Sequence, residues 1–140
     1  MLNQTAEYGM RAVVRLAGLE SGERMQASQL ARAIGVPANY LSKILHQLAA
    51  KGILDSQRGR NGGFRLASPP DRISMASVVD PLDALGRFRS CVLGNPVCSD
   101  RTACAAHRRW EPLASALLGF LETTTVAEVM AVSARPRARR

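Results

Sequence analysis

Between residues 28 and 67, two segments with helical spacing of hydrophobic residues are followed by two short strand-like segments, and this order constrains the fold more than any other feature of the chain. A short helix is expected at 28–34, where Gly35 ends it, and a second helix after Pro37, which suits a first helical turn because it has no amide to donate. The second helix has four large aliphatic residues at helical spacing on one face: Leu41, Ile44, Leu45 and Leu48. From residue 53 the pattern is that of two short strands joined by the turn 59–63, whose glycines and asparagine permit positive φ.

Helical patterns also flank this segment. Residues 5–19 carry an apolar face, Ser74 is a plausible cap for a short helix at 75–80, and an amphipathic helix is expected over 110–132. Helix, short helix, turn, second helix and β-hairpin, in that order, is the layout of a winged helix-turn-helix. The predicted fold is therefore mainly α with a small β-hairpin wing and a long C-terminal helix. We expect a winged domain over 1–80, a loop over 81–109, the long helix over 110–132 and a disordered basic tail over 133–140.

The net charge of +8 favours a polyanionic partner, and double-stranded DNA fits the predicted fold. Polar side chains of the second helix can donate to phosphates and to base edges in the major groove, and Arg60 at the hairpin tip is expected to enter a narrow minor groove. The alternative is that this polar face contacts only water. For His46 taken alone, that alternative is favoured over a contact with a base. The predicted DNA-binding residues are Ser28, Asn39, Tyr40, Ser42, Lys43, His46, Arg58, Arg60 and Asn61.

No apolar run approaches the ~20 residues that a membrane span requires, and the N-terminus lacks the features of a secretory signal. The expected location is the bacterial cytoplasm. Thiols stay reduced in that compartment, so clustered cysteines suggest metal or redox chemistry rather than disulfides. Three cysteines would also leave one thiol of any disulfide framework unpaired.

All three cysteines lie in one irregular segment, Cys91, Cys98 and Cys104, and His107 follows with the spacing C-x6-C-x5-C-x2-H. Iron–sulfur clusters need thiolate donors and tolerate a histidine, while zinc accepts three thiolates and an imidazole in a closed tetrahedral site. The spacing alone leaves zinc and iron–sulfur equal, and three surface thiols with no common role are the remaining alternative. A catalytic cysteine is not expected, because no carboxylate orienter or oxyanion element accompanies it, and the chain is not predicted to be an enzyme.

Nearly the whole chain, from about Leu2 to Met130, resembles the IscR and NsrR group of bacterial regulators of the Rrf family. The resemblance rests on four stretches: TAEYGMRAVVRLA, GVPANYLSKILHQLAAKGIL, SQRGRNGGFRLA and the cysteine segment. It implies a homodimeric winged-helix transcription factor, with the helix after Pro112 as the dimerisation helix and a palindromic operator as the partner. It also moves iron–sulfur ahead of zinc.

The resemblance implies that the three cysteines are cluster ligands, although the first gap is one residue longer than in the commonest pattern. Two residues compete for the fourth position. His107 matches the histidine of members with a 2Fe–2S cluster, whereas Glu7 matches an acidic residue that, in other members, reaches a 4Fe–4S cluster from the partner subunit. Glu7 has an ordinary explanation too, as a first-turn carboxylate favoured by the helix dipole.

The function implied is a regulator, expected to be a repressor, whose operator affinity is switched by a cluster that senses iron or redox status or nitric oxide. The alternative is a zinc-stabilised or cluster-free regulator of the same fold that responds to a small molecule or a partner protein.

Overall fold

The computed structural model describes residues 2–95, 99, 101 and 103–133, and for the last three of these the backbone only. The described residues form six α-helices and one antiparallel hairpin, with short 3₁₀ turns at Pro70–Arg72 and Leu85–Arg89. The helices and strands are α1 (Gln4–Ala17), α2 (Ala27–Ile34), α3 (Ala38–Ala50), β1 (Leu54–Gln57), β2 (Gly63–Leu66), α4 (Met75–Val79), α5 (His107–Thr123) and α6 (Val126–Ser133). A mainly helical chain with a small β-hairpin is what the sequence predicts.

The α2–α3 pair begins and ends at the residues that the sequence indicates. Gly35 follows α2 in the left-handed conformation, with φ of 70°, and its amide donates to Ala31. Pro37 is the N-cap of α3, and the four aliphatic residues predicted for its inner face are fully buried. Helix α1 packs against both helices, and the guanidinium of Arg11 donates to the carbonyl of Ile34 at the end of α2.

The hairpin pairs Leu54 with Leu66 and Gln57 with Gly63. A third segment joins it, because Met25 and Phe64 exchange backbone hydrogen bonds of 3.0 and 2.9 Å. Gly63 makes this approach possible: its φ is 120°, and a Cβ there would lie 2.6 Å from the carbonyl oxygen of Met25. The wing is therefore joined to the residues that enter α2.

The single helix predicted over 110–132 is two helices. Thr124 is extended, and the backbone around it pairs with the entry to α4 through Met75 N–H to Thr124 O and Val126 N–H to Ile73 O, each 2.9 Å. The Glu128 carboxylate accepts from the Thr125 amide at 2.7 Å and so caps α6, which returns to pack on α1. Helix α5 also starts earlier than predicted, which places Pro112 in its second turn rather than its first.

The confirmed short helix α4 begins at Met75, where the hydroxyl of Ser74 accepts from the amide of Ser77. It packs against α1 and α5 and so joins the winged part to the C-terminal helices. Within the part of the chain that the structure describes, no helix has both the length and the hydrophobicity of a membrane-spanning segment.

Candidate nucleic-acid interface and cysteine loop

The outer face of α3 carries Asn39, Lys43 and His46, which share one side of the helix at i, i+4 and i+7 and are all exposed. Ser28 is exposed in the first turn of α2, whereas Ser42 is half-buried. An exposed polar and basic helix face of this kind can donate to phosphates and to base edges.

Two residues predicted to contact DNA have partners within the protein. The hydroxyl of Tyr40 is hydrogen-bonded to that of Thr5, and its ring meets the ring of Tyr8 edge-on at 5.7 Å. The ring of His46 lies edge-on to Phe64 of β2, with centroids 5.4 Å apart. Tyr40 thus connects α3 to α1, and His46 connects α3 to the wing, while both remain partly exposed.

The wing tip exposes Arg58, Arg60 and Asn61 between the two strands. Its turn is closed by a 3.0 Å hydrogen bond from Gly62 N–H to Gly59 O. The side-chain amide of Gln26, just before α2, donates to the same Gly59 carbonyl at 3.1 Å and to the carbonyl of Gly62 at 3.2 Å.

The base of the wing carries a cluster of ion pairs. Oδ2 of Asp55 accepts from Arg24 at 2.7 Å and from Arg65 at 3.0 Å, and these hydrogen bonds lower the pKa of Asp55. Among the described residues, the ion pairs of the wing use these two arginines and leave out Arg58 and Arg60. The positive charge that the wing presents is therefore concentrated at its tip.

The cysteine loop joins the 3₁₀ turn Leu85–Arg89 to α5, and its two ends lie together. Cys91 is buried, Cys104 is partly buried, and their sulfur atoms are 3.4 Å apart. The indole N–H of Trp110 donates to the carbonyl of Ser90 at 3.0 Å and closes the loop at its base. Cys98 lies outside the described residues.

His107 is the first residue of α5, and with Ser90 and Trp110 it lines a cavity of about 190 Å³ at the base of the loop. Its amide donates to the carbonyl of Cys104 at 3.0 Å. Glu7 is exposed in the first turn of α1. Within the described residues, no three histidine, cysteine or acidic side chains are grouped closely enough to hold one metal ion. The choice between His107 and Glu7 therefore stays a prediction.

The candidate ligands, three cysteines with His107 or Glu7, have donor atoms of the kinds that an iron–sulfur cluster or zinc binds. The distance between the sulfur atoms of Cys91 and Cys104 also fits such a site. Two thiolates bound to one tetrahedral ion at about 2.3 Å lie about 3.8 Å apart, close to the 3.4 Å between Cys91 and Cys104.

Residues 2–132 match the sequence model of the Rrf2 family, described as an iron-dependent transcriptional regulator. The chain belongs to the Rrf2 family. Among its Rrf2-like relatives, an HTH-type transcriptional regulator of Mycobacterium tuberculosis is 37% identical over 129 residues, which cover 91% of this chain and 80% of the relative. One from Aquifex aeolicus is 27% identical over 132 residues, covering 93% and 91%. This is a family of DNA-binding transcriptional regulators and not of enzymes, as the sequence predicts.

Solved structures support the same fold. IscR from T. potens superposes with a TM-score of 0.77 at 19% identity, over 100% of this chain and 93% of that one. CymR, the global cysteine regulator of B. subtilis, gives 0.76 at 21% identity, over 94% and 97%. At these identities the likeness shows that this chain has the winged fold of Rrf2 regulators. It does not show which ligand this chain binds.

Sequence reasoning missed two residues that organise these sites, Gln26 and Trp110. Trp110 is the single tryptophan of the chain, and a large aromatic with one donor three residues after His107 is a usable signal. Gln26 and Gln29 have the spacing of a capping box, which a sequence can show, but the contact of Gln26 with a turn 33 residues away cannot be read from it.

Proposed function

We propose that this Rrf2 protein is a homodimeric regulator, acting as a repressor, that binds a palindromic operator through α3 and the wing, and that an iron–sulfur cluster held by the cysteine loop switches its operator affinity. The observation that carries the proposal is the approach of Cys91 and Cys104, 13 residues apart in sequence, to a sulfur–sulfur distance of 3.4 Å. Two cysteine sulfur atoms this close, at the base of a loop, supply half of a four-ligand site.

The remaining ligands are those that the resemblance to IscR and NsrR implies. Cys98 supplies the third thiolate, and either His107 completes a 2Fe–2S site or Glu7 of the partner subunit completes a 4Fe–4S site. When bound, the cluster supplies a centre that reacts with oxidants or nitric oxide. The position of His107 beside Ser90 and Trp110, at the base of the loop, favours it over Glu7. An imidazole ligand in place of a thiolate also raises the reduction potential of a cluster, which suits a switch.

The position of the loop would allow it to change the relative arrangement of the DNA-binding elements. It lies between the 3₁₀ turn and α5, which pack on each other, and α5 packs in turn on α4. If ligation orders residues 91–107, the ordered form favours one spacing of the two α3 helices in the dimer. Operator affinity then changes by the difference in free energy between the two forms. Two half-sites on one duplex make the change steep, because both α3 helices must fit at once.

A second copy of the chain is the expected occupant of the exposed side of α5. Leu113 and Phe120 lie seven residues apart on that side and are 66% and 56% exposed. Large apolar side chains in a row along one helix face are typical of a surface that a partner buries.

Anaerobic purification with iron and sulfide analysis tests the cluster. The wild-type protein is expected to be coloured, with charge-transfer absorption and bound iron and sulfide, and Cys91→Ser and Cys104→Ser to be colourless. His107→Ala is expected to lose or alter the absorption while His46→Ala, the matched change at the other histidine of the chain, keeps it. If Glu7 is the ligand instead, Glu7→Ala is expected to lose or alter the absorption while Glu23→Ala, the matched change at another glutamate, keeps it. A wild-type preparation that takes up neither iron nor sulfide contradicts the proposal.

DNA binding by the loaded and the cluster-free protein tests the switch. The two forms are expected to differ in affinity for a duplex selected by the wild-type protein from a random library. Equal affinities overturn the switching mechanism even if the cluster is present.

A cluster-free regulator is the second candidate, and one observation favours it. The chain superposes on CymR, the global cysteine regulator of B. subtilis, as well as it superposes on IscR. Under this alternative, the purified protein is colourless, or binds zinc, and its operator affinity responds to a small molecule or a partner protein.

A further inference from the structure

The side chain of Gln26 ties the turn 59–62 at the wing tip to the entry of α2, and Arg24 donates beside the turn to the carbonyl of Gly63 at 3.3 Å. The amide group of Gln26 donates to the carbonyls of Gly59 and Gly62, at 3.1 and 3.2 Å. Both partners are carbonyl oxygens, so only the amide nitrogen, with its two hydrogens, can fill this position. The two carbonyls lie on either side of Arg60 and Asn61 in the sequence, so the contact spans two exposed residues of the turn.

We propose that Gln26 is the positioning residue of the wing: it holds the turn 59–62 in the conformation that presents Arg60 to DNA. The inference rests on the proposed role of the wing in DNA binding. Gln26 itself contacts no DNA in this scheme and acts through the arginine.

The other backbone contacts that support the wing lie outside the turn 59–62, apart from the hydrogen bond that closes the turn. The hairpin ladder ends at the pair Gln57–Gly63, and the bridge between Met25 and Phe64 supports β2 but not the turn. Within the turn, the backbone has one closing hydrogen bond, from Gly62 to Gly59. A short glycine-rich turn with one hydrogen bond has wide conformational freedom. Two additional hydrogen bonds from a residue outside the turn restrict it.

Gly62 shows that the turn is tightly folded where Gln26 meets it. A Cβ at position 62 would lie 2.1 Å from the carbonyl oxygen of Gln57 and 2.8 Å from that of Arg58. The carbonyls that Gln26 binds therefore belong to a turn in which only glycine fits at position 62. The backbone amide of Gln26 donates separately to Oε1 of Gln29, at 3.2 Å, and this hydrogen bond caps α2 without involving the side chain that reaches the turn.

Gln29 provides the matched control. It lies in the first turn of α2, and its side chain accepts from the Gln26 backbone but makes no hydrogen bond to the wing in the described structure. Gln26→Met and Gln29→Met remove the same amide group from neighbouring positions with little change of side-chain volume. Gln26→Thr replaces the first variant should it fail to fold, because threonine suits the N-cap but is too short to reach the turn.

Trypsin digestion of the folded protein, without DNA, tests whether Gln26 restricts the turn 59–62. Cleavage after Arg58 and Arg60, followed by mass spectrometry, is expected to be about fivefold faster in Gln26→Met than in the wild type, because each lost hydrogen bond frees the turn. Gln29→Met is expected to be cut at the wild-type rate. Equal cleavage of the two variants at these sites overturns the proposal.

Fluorescence anisotropy at fixed salt, with the selected duplex, tests the consequence for DNA. Gln26→Met is expected to weaken binding about fivefold to tenfold and Gln29→Met less than about twofold. In the Arg60→Ala background, Gln26→Met is expected to add less than about twofold, since its effect passes through that arginine. Additive effects contradict the proposal.

The outcomes distinguish failure of the proposed role of Gln26 from failure of the proposed contact between the wing and DNA. If Arg60→Ala weakens binding and Gln26→Met does not, the wing contacts DNA and the proposed role of Gln26 is wrong. If Arg60→Ala has no effect, the wing part of the proposed DNA interface is wrong, and the role of Gln26 in DNA binding is wrong with it.

Discussion

At the scale of single residues, Asp83 is the buried carboxylate that ties the N-terminus of α1 to the segment before the cysteine loop. It accepts from the Asn3 amide at 2.7 Å and from the Arg87 guanidinium at 2.8 and 2.9 Å. The hydrogen bonds from Arg87 are the main cause that lowers the pKa of Asp83 below its ordinary value of 3.8. The charged form of Asp83 is therefore the form that the folded protein stabilises.

Asp83→Asn is expected to reduce the free energy of unfolding at pH 7 by about 1–3 kcal/mol, because a charged acceptor of three hydrogen bonds is lost. A depressed pKa in the folded state stabilises the protein above pH 3.8, and this contribution is lost as the pH falls through the lower folded value. The difference between wild type and variant should therefore shrink in acid. Urea unfolding from pH 7 to pH 3 measures it. Asp71→Asn, at an exposed position, should change stability little, and a variant as stable as the wild type at pH 7 would contradict the assignment.

At the scale of elements, the wing depends on a backbone approach that only glycine permits. Gly63 starts β2 with φ of 120° and lies against the Met25 backbone, where the chain enters α2. The wing and α2 are therefore built as one unit, and Gln26 extends the same contact to the tip.

Gly63→Ala is expected to lower the free energy of unfolding by about 2 kcal/mol, since the new Cβ meets a carbonyl and the φ is strained for any L side chain. The variant should also bind DNA more weakly, because the wing is displaced. Thermal and urea unfolding measure the first effect and anisotropy the second. Gly86→Ala is the control, since a Cβ there meets nothing within 4 Å. If both variants unfold alike, the backbone approach has no special importance.

At the scale of the whole molecule, α5 has an inner face in the core and an outer apolar stripe. Ala114, Leu118 and Leu121 are buried, whereas Leu113 and Phe120 are exposed on another side of the helix. The outer stripe contributes little to the folding of one chain, so it is the place where a change should alter assembly and leave the fold intact.

In sedimentation, the wild type is expected to be a dimer and the double variant Leu113→Glu with Phe120→Glu is expected to be a monomer. Its affinity for a two-half-site duplex should fall tenfold or more, on the order of the loss of one half-site's contribution. Ser115→Glu places the same charge on the other exposed side of α5 and should stay dimeric. A double variant that remains a dimer would assign the interface to another surface.

Local patterns in the sequence determined the type and order of the elements through α4. Helical spacing, Gly35, Pro37 and the glycine turn act over a few residues, so their effect can be read without knowing the partners. The three cysteines lie within 14 positions of the sequence, so a shared site for them is a prediction that needs no knowledge of distant segments.

Only the tertiary structure decided the contacts between distant segments. The pairing of 124–126 with 73–75 divides the predicted C-terminal helix, Trp110 closes the loop on Ser90, and Gln26 reaches the wing tip. Each joins groups at least 20 residues apart in the chain. Which distant donor meets which acceptor depends on how the core brings the elements together, and no local spacing encodes that.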